Sequence, residues 1–152
     1  MMPSCLIPLF STLIIVCNLA ISPFQDAEVE IYKPDPTEVT ALAQTLYGEC
    51  RGCSELQQKA VCWCVFNRVD DSRFPDTIIG VVSAPLQLQG YSSSNPVWDN
   101  LYDIAYSCMV DWHKGENRVL DEDMCWFSGW NRINHFRNAW LFEEATKFWE
   151  EE

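Results

Sequence analysis

The sequence predicts a mainly α-helical single domain with a small β-hairpin. Four segments carry apolar residues at helical spacing or between helix start and stop signals, and one aromatic, turn-rich segment near the C-terminus alternates as two short strands do. The 152 residues are 48% hydrophobic and 13% aromatic, enough to bury a core without help from metal or disulfides, so one domain is expected.

Residues 1–25 hold no charged side chain, and their apolar run from Leu6 to Ile21 reads as a signal peptide or a membrane anchor, although no basic residue precedes it. Secretion or association with the cell envelope is therefore expected. Residues 26–36, "DAEVEIYKPDP", are acidic and proline-bearing and read as a linker to a domain over 37–152. In "DPTE", Asp35 is placed as N-cap, Pro36 at the first helical position and Glu38 at the third, and Val39, Leu42, Ala43 and Leu46 continue as a helical stripe. Gly52 and Ser54 break the chain. A second helix over "ELQQKAVCWCVFNRV" follows with Ser54 as its cap, and because residues 60–66 are apolar on every side it should be central and buried, Trp63 with it.

A short third helix is expected from Pro75, and after it "LQLQGYSSSNP" is a polar loop of the type that carries function. The fourth helix, in "PVWDNLYDIAYSCMVDWHKGE", puts Val97, Leu101, Ile104, Ala105 and Cys108 on one stripe. It stops at Gly115 with His113 in its last turn, where a cation complements the helix dipole. "MCWFSGWNRINHFRNAW" predicts the hairpin, with Cys125 to Phe127 as one strand, a turn near Gly129 and a return through His135 and Phe136. The closing "EEATKFWEEE" predicts a last helix.

Ten Lys and Arg against 22 Asp and Glu give a formal net charge of −12, and such a surface repels phosphate backbones, which argues against a nucleic-acid partner. It suits an acidic polymer only if the negative charge gathers away from the binding cleft, on the linker and the C-terminal tail. Six of the eight cysteines follow the leader, and Cys50-x-x-Cys53 invites a metal or redox reading. Cys62 and Cys64, two apart on a helix, point about 200° from each other and cannot join that pair around one ion. Disulfides in an oxidising compartment and plain buried thiols both remain open, and neither a metal nor a cofactor is called for.

In "LYGECRG", Glu49 lies about 20° from Leu42 on the helical wheel, at the rim of the apolar stripe and at the negative end of the helix dipole. Partial burial and the dipole both favour the neutral carboxylic acid, the state a general acid needs. An ion pair with Arg51 or Arg68 is the plain structural alternative.

The run "LAQTLYGECRGCSELQQKAVCWCVFNRVDDSRFPDTIIGVV", with "PLQLQGYSSSNP" and "FSGWNRINHFRNAW" after it, resembles the SleB-like cell-wall hydrolases that include spore cortex-lytic enzymes. The shared blocks are an aromatic, a small residue and Glu-x-Arg-Gly, then Asn-Arg-Val, then Phe-Pro-Asp, then a Gln-containing loop and an aromatic segment with histidine. The resemblance implies a lysozyme-like domain acting on peptidoglycan glycan strands, with Glu49 as catalytic acid/base. It also suggests Gln87, Tyr91, Trp130, Asn134, His135 and Phe136 as substrate contacts, and Asn67 and Arg68 as structural supports of the catalytic helix end. His135 either orients Glu49 or caps the hairpin. Cys50 replaces the family's alanine, Cys53 an acidic residue, and Leu88 the aromatic after Gln87, which leaves one sugar-stacking surface unaccounted for. A monomeric lytic transglycosylase is favoured, because the same carboxylate can donate one proton and accept the next. A hydrolase with a second carboxylate drawn from Asp70, Asp71, Asp76, Asp99 or Asp103, a non-catalytic wall-binding module and a cysteine peptidase are the alternatives.

Overall fold

In the computed structural model the first helix, α1, runs over Pro36–Cys50 and begins where the sequence places it: the Asp35 carboxylate accepts from the Thr37 N–H at 2.7 Å and Pro36 opens the first turn. The structure describes residues 31–130, 132–139 and 146–147, with the backbone alone at 130, 146 and 147. They belong to one of two units into which the chain divides, Ile31–Glu152; the leader falls outside the described residues. Val39, Leu42, Ala43 and Leu46 are buried along α1 as their spacing requires.

Helix α2, Glu55–Asp70, is the central element. Its residues from Ala60 to Arg68 are all buried, so it takes packing on every side: α1, α3 and α4 surround it and β2 touches it. Trp63 meets Phe66 edge-on at 5.5 Å, and Phe66 stacks on Trp112 of α4 at 4.7 Å. Helix α3, Ile78–Ser83, starts at Thr77, not at Pro75, because the Thr77 hydroxyl caps the Gly80 N–H at 3.1 Å. Helix α4, Asp99–Lys114, buries Leu101, Ala105 and Cys108 and ends on Gly115 in the left-handed conformation. Val97 departs from its expected place on the stripe, since it precedes the helix and is 40% exposed.

A three-stranded antiparallel sheet completes the domain: β1 over Trp126–Trp130, β2 over Ile133–Arg137 and β3 over Thr146–Lys147, in that order. The hairpin turn lies further along than expected. Gly129 is inside β1 and pairs with Asn134, and Trp130 pairs with Ile133, so the connection falls at residues 131–132. The expected helix in the C-terminal tail gives way at Thr146–Lys147 to strand pairing with Phe136 and Arg137, where β2 would otherwise offer an unpaired edge; its remaining residues lie outside those described.

Three polar side chains of α2 hold the sheet against the helices. Asn67 Nδ2 donates to the Asp121 and Met124 carbonyls at 2.7 and 2.9 Å, while its oxygen accepts from Arg118 at 2.7 Å. Arg68 Nε donates to the Cys125 carbonyl at 2.6 Å, and Gln57 accepts from the Asn134 N–H at 2.8 Å. All three are buried, so each bond forms where water cannot replace it.

Candidate active site

Glu49 stands half-buried in the last turn of α1, and its Oε1 accepts a hydrogen bond from the Gly90 N–H at 2.7 Å. Gly90 comes from the loop after α3 and reaches α1 only because two glycines meet: a Cβ at Gly90 would lie 2.6 Å from the Gly48 carbonyl carbon and 2.9 Å from Glu49 Cδ. A pair of amides clamps this loop. Gln44 Nε2 donates to the Ser93 and Asn95 carbonyls at 2.8 and 3.1 Å, and Asn95 Nδ2 donates to the Gln44 and Gly90 carbonyls at 3.0 and 2.8 Å. The Gly90 residue is thus held at its carbonyl by Asn95 while its N–H aims the carboxyl of Glu49.

The two arginines that could have paired with Glu49 are bound elsewhere. Arg51 Nη1 donates to the Tyr47 carbonyl at 3.0 Å with its guanidinium over the Tyr47 ring, and Arg68 binds the Cys125 carbonyl and, at 3.1 Å, the side-chain oxygen of Gln87. The oriented Glu49 carboxyl lines open space instead.

Two depressions of about 460 Å³ each share Glu49 and Gly129 in their walls. The first lies over the α1–α2 corner and is lined by Arg51, Cys53, Arg132 and Asn134 among others; the second contains Arg68, Leu86, Gln87, Trp126, Phe127 and Arg137. Glu49 therefore stands where the two depressions meet, open to both. Among the described residues, Glu49 is the one acidic side chain that lines either depression, whereas four basic ones do so, Arg51, Arg68, Arg132 and Arg137. Among the described residues the acidic charge lies away from the site, in part on the exposed Asp99, Asp103, Glu116, Asp121, Glu122 and Asp123.

The expected contacts divide. Gln87 is exposed in the second depression and Asn134 forms part of the first, where its Nδ2 lies 3.7 Å from the Cys53 sulfur. Tyr91 is half-buried against the core, and neither it nor His135, which sits on β2 opposite Ser128, is among the residues lining the depressions. Trp130 ends β1, and Trp140 lies outside the described residues. Phe136 is corrected: it is 0% exposed and packs on Phe127 at 5.4 Å between centroids, so it has no open face for a ligand. Leu88, at the position of the missing aromatic, is also turned to the core at 7% exposure.

Several residues at the site were not read from the sequence, Gly90, Trp126 and Phe127 among them. Gln44 and Asn95 position the loop. Leu86, Arg132 and Arg137 line the depressions, Leu86 being 84% exposed. Leu86 and Arg132 also hold the left-handed backbone conformation, φ 63° and 64°. A glycine after the loop or turn would have flagged such positions; a leucine and an arginine do not.

The described cysteines carry free thiols. Burial pushes the thiols of Cys50, Cys62 and Cys125 up and that of Cys64 to about 12, which disfavours the thiolate a cysteine nucleophile requires.

These elements define a helical domain with a glutamate side chain set between two adjoining depressions. The chain belongs to the cell wall hydrolase family, whose model matches residues 52–150, beginning just beyond Glu49. It is 35% identical over 69 residues to a spore cortex-lytic enzyme of Halalkalibacterium halodurans, a match covering 41% of this chain and 21% of that protein. The chain thus matches about a fifth of the length of that curated relative. Among solved structures it is similar to the catalytic domain of the Bacillus cereus SleB protein, with a TM-score of 0.43 and 22% identity over 62% of this chain and 71% of that one.

Proposed function

We propose that this chain cleaves peptidoglycan glycan strands between N-acetylmuramic acid and N-acetylglucosamine as a lytic transglycosylase, with Glu49 acting first as general acid and then as general base. The Glu49 carboxylic acid protonates the bridging oxygen, and the muramic C1–O bond breaks through an oxocarbenium-like transition state. The carboxylate then takes the proton of the muramic 6-hydroxyl as that oxygen bonds to C1, leaving a 1,6-anhydro sugar and restoring the acid. The Gly90 N–H keeps the carboxyl aimed throughout.

The observation that carries this reading is that Glu49 is the sole carboxylate, among the described residues, lining either depression. Hydrolysis ordinarily uses a second carboxylate on the far side of the scissile bond. Asp70 accepts from the Trp112 indole at 3.0 Å, Asp71 pairs with Arg73, and Asp76, Asp99 and Asp103 are exposed outside the linings. A single acid that is used twice needs no such partner.

Gln87 and Asn134 supply polar contacts on the two sides of Glu49, and Trp126 and Phe127 offer the aromatic surface that Leu88 does not. Tyr91 and His135 are proposed to contact the strand beyond the two depressions, and Trp130 is proposed as a further contact. The enzyme is proposed to act as a monomer at the cell envelope or outside the cell, exported or anchored through residues 1–25.

Digestion of purified peptidoglycan by the full chain, followed by mass spectrometry, is expected to yield muramic ends lighter by one water. Reducing ends would replace the transglycosylase by a hydrolase, and binding without new ends would leave a wall-binding module.

Leu86 is expected to serve this groove at the expense of the backbone. Leu86→Gly relieves the left-handed strain and loses little buried surface, so stability should hold or rise by up to about 1 kcal/mol. KM for glycan strands should meanwhile rise about threefold to tenfold, the worth of roughly 1 kcal/mol of apolar contact. An unchanged KM would remove Leu86 from the groove.

A further inference from the structure

The mechanism uses no cation, yet arginines make up most of the charged side chains that line its site among the described residues. In a chain of net charge −12, the described residues bring four arginines to the walls of the two depressions and one carboxylate, that of Glu49. Such a field concentrates an anionic ligand and discriminates against a neutral one. Two of the four have evident duties in the fold: Arg68 ties α2 to the Cys125 carbonyl and Gln87, and Arg137 is buried at the end of β2. Arg51 is exposed but anchored on the Tyr47 carbonyl and ring.

Arg132 has no such explanation in packing. It is exposed, it occupies the two-residue connection between Trp130 and Ile133, and its φ of 64° is one that glycine or asparagine adopts with less strain. Its place in the wall of the first depression, together with Glu49, Arg51 and Asn134, puts a flexible cation where an arm of the bound sugar would lie. Among the described residues the other non-glycine residue of left-handed backbone is Asn117, a residue type that tolerates it, so the two costlier instances there, Leu86 and Arg132, both fall at the site.

We infer that Arg132, assisted by Arg51, is a specificity residue that binds a carboxylate carried on the lactyl arm of a muramic residue seated in the first depression. The planar guanidinium fork matches a carboxylate in two parallel N–H···O bonds. The inference rests on the proposed glycan-cleaving reading and adds to it a preference for acidic over neutralised strands. The carboxylate can be that of the lactyl group itself, where the peptide has been removed, or one of the attached peptide.

Three substrates separate these sources: strands stripped of peptide, the same strands with the lactyl carboxylate converted to a methylamide, and strands with peptides intact. The full chain is expected to cleave at least one acidic substrate with kcat/KM about tenfold above the methylamide, the worth of a charge-assisted contact. The difference should lie in KM, and the acidic substrate that is favoured identifies the source. In Arg132→Gln the ratio should fall to about one, and Arg132→Lys should restore part of it. Equal cleavage of all three by the unaltered chain, or a preference that survives in Arg132→Gln, overturns the inference and leaves the glycan-cleaving function standing. Cleavage of none overturns that function, and the inference with it.

Discussion

Glu49→Gln is expected to lower turnover of peptidoglycan by about 10²- to 10⁴-fold, the usual worth of a positioned general acid and base. The amide has the shape of the acid, and its oxygen can still accept the Gly90 N–H that now meets Oε1 at 2.7 Å. The fold and the loop clamp should therefore survive, and the melting temperature should stay within a few degrees of the unaltered chain. Under the proposed mechanism, what is lost is a group that can give a proton to the bridging oxygen and then, as the carboxylate, accept the proton of the 6-hydroxyl. Binding of intact strands should persist, because the depressions on either side keep their walls. The measurement is single-turnover cleavage beside a binding assay on the same strands. Turnover above about a tenth of normal would mean that another group carries the proton.

Much of this arrangement is legible in the sequence, and the illegible parts have physical reasons. The helices follow from period and capping: Asp35, Pro36 and Glu38 fix the start of α1, and the all-round apolar stretch of α2 can only be central. Glu49 is visible because an acid at the rim of an apolar stripe needs an explanation. The hairpin register is not visible, because Gly129 reads as a turn residue when in fact it is a strand position facing Asn134, where a side chain would come within 2.9 Å of Asn134 Oδ1. A displaced turn reassigns the faces of the returning strand. That is why Phe136 is assigned to the site and belongs to the core, and why Arg132 and Arg137 escape notice.

Gln44 and Asn95 are illegible for a different reason. Their mutual hydrogen bonds join residues 51 apart in sequence, and no local pattern carries that pairing. The charge distribution follows the same rule: composition gives −12, but only the fold brings four arginines and one acid, among the described residues, to the walls of the two depressions.

Gly48→Ala should damage both stability and activity, and the reasoning turns on two opposed terms. Within a helix, alanine is favoured over glycine by about 1 kcal/mol. At residue 48 the added methyl would overlap the Gly90 carbonyl, a backbone group with no rotamer through which to escape. Forcing a methyl into such a contact costs about 1–3 kcal/mol or more, so the overlap outweighs the helix preference. Relief requires the loop to lift from α1, which strains the bonds from Gln44 and Asn95 and withdraws the Gly90 N–H from Glu49. A displacement of about 1 Å at a catalytic group commonly costs 10²-fold in rate, and a loss of that order is expected here. Gly52→Ala is the matched control for stability, since nothing lies within 4 Å of the Cβ it would add. Thermal unfolding of both variants, with cleavage rates for Gly48→Ala, checks the argument. A Gly48→Ala protein as stable as Gly52→Ala, with its cleavage rate intact, would mean that the two glycines do not meet and that Glu49 is aimed by something else.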